Sequence, residues 1–83
     1  MSDHTRQQVL DALAEVAPEA DPESLRGDVP LRDQLDIDSM DYLNFLIGLH
    51  ARTGVEVPER DYGQLATIDD CVAYVERRVA GAG

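Results

Sequence analysis

The run Leu35-Asp36-Ile37-Asp38-Ser39-Met40-Asp41 sets a serine hydroxyl one residue after an aspartate and two residues before another. The apolar spacing that follows puts this serine at the start of a helix. A helix N-terminus presents free N–H groups and the positive end of the helix dipole, and so tolerates a covalently attached phosphate. A serine placed there can hold a phosphodiester in solvent without burying it. The same residue types also suit a plainer role, because Asp38 and Ser39 are both good N-cap residues and either could simply start the helix.

Two other chemistries fit the residue types but fail on spacing. A serine nucleophile needs a histidine base within hydrogen-bond reach. His4 lies in the first residues of the chain and His50 lies eleven residues beyond Ser39, which is roughly 16 Å along a helix axis. Asp36, Asp38 and Asp41 suggest a calcium loop. That pattern would need an acid or amide at residue 40, glycine at 41 and glutamate at 47, where the chain has Met40, Asp41 and Ile47. No catalytic residue and no dedicated metal site are expected, and the chain is not expected to be an enzyme. Cys71 falls in an apolar pattern and reads as a buried thiol.

Ser39 must be positioned by the elements around it. Val9, Leu10, Leu13, Val16 and Ala17 recur at helical spacing and predict a first helix over 3–17. Pro18 and Pro22 then open a long connection over 18–37, whose Leu25, Val29, Leu31, Leu35 and Ile37 suggest that it lies across the molecule. A second helix spans 39–52 and ends at Gly54, which suits a left-handed cap. Val55–Pro58 is extended because the residue before proline disfavours helix, and a short helix near 59–64 follows. Thr67 caps the last helix with Asp70 three residues on, and Ile68, Cys71, Val72, Val75 and Val79 form its apolar face. The expectation is an all-α fold of three main helices plus a short one with a long first loop, as one domain over 1–83 with disordered ends at 1–2 and 81–83.

The second helix carries more apolar surface than a one-sided helix needs. Tyr42, Phe45, Leu46 and Leu49 share one arc and can face the core, while Met40, Leu43 and Ile47 fall on a neighbouring arc. Either several neighbours bury the helix or the second stripe docks onto partners, and burial is the commoner explanation.

Charge narrows the partners. Seventeen acids stand against seven bases, all arginine, for a net charge of −10 in 83 residues. Nucleic acid binding needs clustered cations, so it is disfavoured, as is stable binding to anionic membranes. The partner expected is a protein with a basic patch, although acidity also simply keeps a small domain soluble. No signal peptide or transmembrane run is recognisable, and a cytoplasmic monomer is expected.

Asp38-Ser39-Met40-Asp41 with its apolar helix, then Gly54-Val55-Glu56-Val57-Pro58, then Ala66-Thr67-Ile68-Asp69-Asp70-Cys71-Val72-Ala73-Tyr74-Val75 resembles the acyl carrier protein family across nearly the whole chain. The resemblance implies a right-handed four-helix bundle, with Ser39 modified by a phosphopantetheinyl transferase that draws 4'-phosphopantetheine from coenzyme A. The arm would hold an acyl group as a thioester for acyl-loading, condensing or acyl-transfer enzymes of fatty acid, lipid or polyketide-type biosynthesis. Asp38, Met40, Asp41, Leu43, Asn44, Ile47 and His50 would lie on the surface that partners read. A peptidyl or aminoacyl carrier of nonribosomal synthesis is the alternative within carriers. An unmodified acidic interaction bundle is the alternative outside them.

The chain also departs from the family pattern. Asp36 stands where carriers of bacterial fatty acid synthesis usually have glycine. Asn44, His50 and Ala51 stand where their second helix usually carries glutamates, and Arg52 follows. These differences suggest a specialised carrier with a dedicated pathway.

Overall fold

A computed structural model describes the chain over residues 2–82, with side chains from 3 to 79. Three helices of fifteen residues dominate: α1 (Ser2–Val16), α3 (Ser39–Thr53) and α4 (Ile68–Ala82). Between α1 and α3 the chain makes a 3-10 turn (Pro22–Ser24) and a one-turn helix α2 (Leu31–Gln34), and a 3-10 helix (Glu59–Gln64) precedes α4. The fold is all-helical among the described residues. The disorder expected at Met1 and Gly83 lies outside those residues, while the backbone is helical at Ser2 and at 81–82, where fraying was expected.

α1 packs against both α3 and α4. Val9, Ala12 and Leu13 of α1 meet Phe45, Leu46 and Leu49 of α3 and Ile68, Cys71, Val72, Tyr74 and Val75 of α4 in one buried cluster. Ala12 was not among the residues expected to be buried. Its small side chain permits close helix approach, because a Cβ placed on Gly48 of α3 would lie only 3.8 Å from the Ala12 Cβ. Val79 departs from the expected apolar face of α4 and is 56% exposed. It lines a groove with His4, Thr5 and Gln8, so the part of α1 opposite it is polar and offers no apolar cover.

Backbone chemistry sets the helix ends. Gly54 adopts φ 76°, ψ 2°, and its N–H donates to the His50 carbonyl, closing α3 with the left-handed cap its position predicts. At the start of α4 the Thr67 hydroxyl accepts the Asp70 N–H at 2.9 Å.

The long connection lies across the bundle. Leu31 and Leu35 are buried, and the Leu31 N–H donates to the Ala66 carbonyl at 2.8 Å. The Asp69 N–H donates to the Gly27 carbonyl at 3.0 Å, an approach so close that a Cβ on Gly27 would sit 2.5 Å from an Asp69 carboxylate oxygen. The Gln34 amide closes the loop on itself: its Nε2 donates to the Arg26 and Val29 carbonyls, and its Oε1 accepts the Arg26 N–H. The sequence pattern predicted this placement but not the helical turn α2 within it. A single turn of helix is too short to show periodicity.

Candidate functional site

Asp38, not Ser39, caps the start of α3. Asp38 is extended (φ −98°, ψ −174°), and its Oδ1 accepts the Asp41 N–H at 2.9 Å. The Asp41 carboxylate returns to the Asp38 N–H at 3.3 Å, so the two acids close a reciprocal capping box around the serine. Ser39 is the first residue of α3, exposed, and free of capping duty. The plain reading of Ser39 as a helix cap therefore fails, because its neighbour does that work.

The side-chain partner of Ser39 comes from another element. Nη2 of Arg32, in α2, donates to Ser39 Oγ at 3.4 Å. Arg32, Ser39, Tyr42, Leu43, Glu59 and Tyr62 line an open groove of about 340 Å³ beside the serine. A neighbouring groove of about 470 Å³ shares Arg32, Tyr42 and Tyr62 and continues toward Leu31, Gly63 and Ala66. The Tyr42 hydroxyl is fixed between the carbonyls of Tyr62 and Leu65, at 2.7 and 2.9 Å. Burial pushes its pKa up to about 12, so it is a structural donor and stays protonated. Sequence reasoning missed Arg32, which stands seven residues before Ser39 within a loop. Only the fold of that loop, pinned at Leu31, brings the two together.

The apolar arcs of α3 separate. Phe45, Leu46 and Leu49 are buried and Tyr42 is half-buried, whereas Met40 is 65%, Leu43 36% and Ile47 59% exposed. The second stripe is thus open to solvent, and the burial expected as its commoner explanation does not apply. α3 gains its core contacts from α1 on one side and from the chain around Leu65 on another, leaving the Met40–Leu43–Ile47 arc uncovered. Asn44 and His50 are also exposed, and Asp41 is half-buried at the helix start. Arg52 pairs with Glu15 of α1, so the positive charge at this end of α3 is offset locally.

The remaining chemistry-bearing side chains are structural. Cys71 is fully buried, its Sγ 3.8 Å from the Leu65 carbonyl, and burial foremost, with Asp70 next, pushes its thiol up to about 12. It is held as a neutral thiol. Asp38 and Asp41 each commit one carboxylate oxygen to a backbone N–H group. Neither histidine hydrogen-bonds Ser39. No group of three or more metal-ligating side chains converges among the described residues.

This geometry offers an exposed hydroxyl at a helix start, a cation beside it and an open apolar stripe running away from it, and known proteins share its framework. Residues 7–75 match the family model described as the phosphopantetheine attachment site. An acyl carrier protein of Rhodococcus erythropolis is 30% identical over 77 residues, covering 89% of this chain and 85% of that protein. A meromycolate extension acyl carrier protein of Mycolicibacterium smegmatis is 29% identical over 76 residues, covering 88% and 77%. The solution structure of a candidate acyl carrier protein from Anaplasma phagocytophilum superposes with a TM-score of 0.78 at 24% identity over 92% of this chain and 90% of that one, which shows a shared fold. The chain belongs to the acyl carrier protein family and contains that family's phosphopantetheine attachment domain.

Proposed function

We propose that this protein carries acyl intermediates as thioesters on a 4'-phosphopantetheine arm attached to Ser39, acting as one monomeric carrier domain in the cytoplasm. The observation that carries the assignment is the freed Ser39 hydroxyl. Asp38 and Asp41 cap α3 around it, leaving an exposed oxygen with room for a phosphodiester and with the helix dipole favouring negative charge. In the attachment step Ser39 Oγ attacks the pantetheine-bearing phosphorus of coenzyme A's pyrophosphate. The new P–O bond forms as the pyrophosphate bond breaks, the adenosine bisphosphate leaves, and the serine proton passes to a base of the transferase. Once bound, the arm supplies the thiol that holds the acyl group, and its length lets one cargo reach several active sites at high effective concentration.

Met40, Leu43 and Ile47 supply the apolar surface on which the transferase and the acyl-loading, condensing and acyl-transfer enzymes dock, flanked by Asp38, Asp41, Asn44 and His50. Relatives named for meromycolate extension favour a fatty-acyl type of pathway over nonribosomal cargo. With Asn44, His50 and Ala51 on the exposed side of α3 and Arg52 paired to Glu15, the docking helix has only Asp41 as an acid. That pattern fits a dedicated set of partner enzymes better than ones that read a strongly acidic helix. Against a ketoacyl synthase that serves an acidic-helix carrier, this protein should be loaded less efficiently; equal efficiency removes the dedicated-pathway reading.

Intact mass after incubation with a promiscuous phosphopantetheinyl transferase and coenzyme A tests the assignment. One phosphopantetheine adduct on the wild type and none on Ser39→Ala is expected. A folded wild-type protein that gains no adduct would favour an unmodified acidic interaction bundle.

A further inference from the structure

Arg32 stands apart from most arginines of this chain. Among the described residues Arg6, Arg26, Arg52 and Arg78 each reach a carboxylate within 4.0 Å, and Arg32 does not, although the chain has seventeen acids. Its recorded side-chain partner is the neutral Ser39 hydroxyl at 3.4 Å, a long and weak hydrogen bond. Its backbone, in contrast, is held firmly. Leu31 is fully buried, its N–H is bonded to Ala66, and Gln34 ties the preceding loop together. The fold therefore delivers a guanidinium to one particular oxygen, with no carboxylate within 4.0 Å of it.

We propose that Arg32 is a positioning residue for the prosthetic arm, its guanidinium binding the phosphodiester formed on Ser39; this rests on the carrier reading above. Modification turns the neutral hydroxyl oxygen into the ester oxygen of a singly charged phosphodiester, whose free oxygens accept charge-assisted, forked hydrogen bonds from arginine. The new charge arrives between two existing ones, the carboxylates of Asp38 and Asp41, both committed to capping. Arg32 offsets that crowding. It also lines the groove formed with Tyr42, Leu43, Glu59 and Tyr62, so binding the diester draws the root of the arm to the α2 side of Ser39 and away from Met40. Met40 and Ile47 stay clear as a result, and Leu43 borders the groove.

The test uses the full chain loaded by the transferase, with the adduct verified by mass on wild type, Arg32→Gln and Arg32→Lys. Amide spectra before loading should superpose outside the neighbourhood of Ser39, because Arg32 is exposed. Loading should then shift the Arg32 Nε–Hε resonance of the wild type, and added salt should reverse that shift. Arg32→Gln should move the phosphorus resonance and raise the released population of the arm's root about twofold to fivefold, as for an exposed charge pair. Arg32→Lys should restore only part of the effect, since lysine keeps the charge but loses the fork. A loaded wild type whose Arg32 resonance does not move, with phosphorus spectra identical in all three proteins, would overturn the role of Arg32 alone. Absence of any adduct on folded wild type would overturn the carrier reading and this one with it.

Discussion

α3 and α4 have the same length, both begin at a side-chain cap and both pack on α1, yet they dispose of their apolar residues differently. α4 gathers Ile68, Cys71, Val72 and Val75 onto one face and buries all four, with Val79 alone exposed near its end. One polar network beside it is closed as well. The Tyr74 hydroxyl donates to Asp61 at 2.7 Å, and Arg78 donates to both, at 2.7 and 2.9 Å. α3 buries Phe45, Leu46 and Leu49 but leaves Met40, Leu43 and Ile47 in solvent, next to a serine relieved of capping and an arginine without a carboxylate. A helix that buries most of its apolar face within the fold is a structural member. One that keeps apolar surface open beside its start fits the docking role proposed above.

The largest effect should separate the two arcs of α3. Phe45 is fully buried, so Phe45→Ala should cost about 3–5 kcal/mol in urea unfolding. Met40→Ala and Ile47→Ala should change stability by no more than about 0.5 kcal/mol, while lowering the efficiency of loading by the transferase. If the exposed-arc substitutions destabilise the protein as strongly as the buried one, α3 is an ordinary core helix and the contrast with α4 disappears.

The caps sharpen the contrast at the next level. Asp38→Ala should cost about 0.5–2 kcal/mol and Thr67→Ala a similar amount, since each loses a bond to a free helical N–H. Only the first should also slow modification of Ser39, because it loosens the turn that presents the hydroxyl. Asp38→Asn should keep most of the stability. Equal loading by Asp38→Ala and Thr67→Ala would mean that the capping box holds the helix without serving the serine.

How far these roles were legible from sequence follows the range of the interactions. Periodicity located all three long helices within a residue or two, because each turn repeats the signal. Gly54, Thr67 and the choice of Asp38 or Ser39 at the start of α3 were readable as local chemistry. Exposure of the Met40 arc was not, since a helix drawn alone cannot show which of its apolar faces a neighbour covers. Val79 failed for the same reason, as its opposite side is set by His4, Thr5 and Gln8 far away in the chain. Arg32 was invisible because the long connection, whose one-turn helix is too short to show periodicity, brings it to Ser39.

At α4, Tyr74→Phe should cost about 1 kcal/mol by removing the hydroxyl that Asp61 and Arg78 share. The corresponding removal at the open site, Arg32→Gln before loading, should lie within about 0.5 kcal/mol. Chemical denaturation of both variants checks this. Equal costs would place Arg32 in the same structural class as the α4 network.

The smallest effect is a pH dependence peculiar to the closed network. The Tyr74 hydroxyl foremost, with Arg78 beside it, holds the Asp61 carboxyl below its ordinary value of 3.8, against partial burial that works the other way. A carboxylate whose folded pKa lies below its unfolded one binds fewer protons in the native state just under the unfolded value. Its stabilising contribution is therefore present in full above about pH 4, and is lost as the pH falls through the depressed folded value. In Asp61→Asn that limb is absent, so the stability gap between wild type and variant should narrow on acidification below pH 4. Urea titrations of wild type and Asp61→Asn between neutral pH and the acid limb would show it. A gap that stays constant for Asp61→Asn would mean that the carboxylate gains nothing from Tyr74 and Arg78, and that the polar groups beside α4 are no more closed than those beside α3.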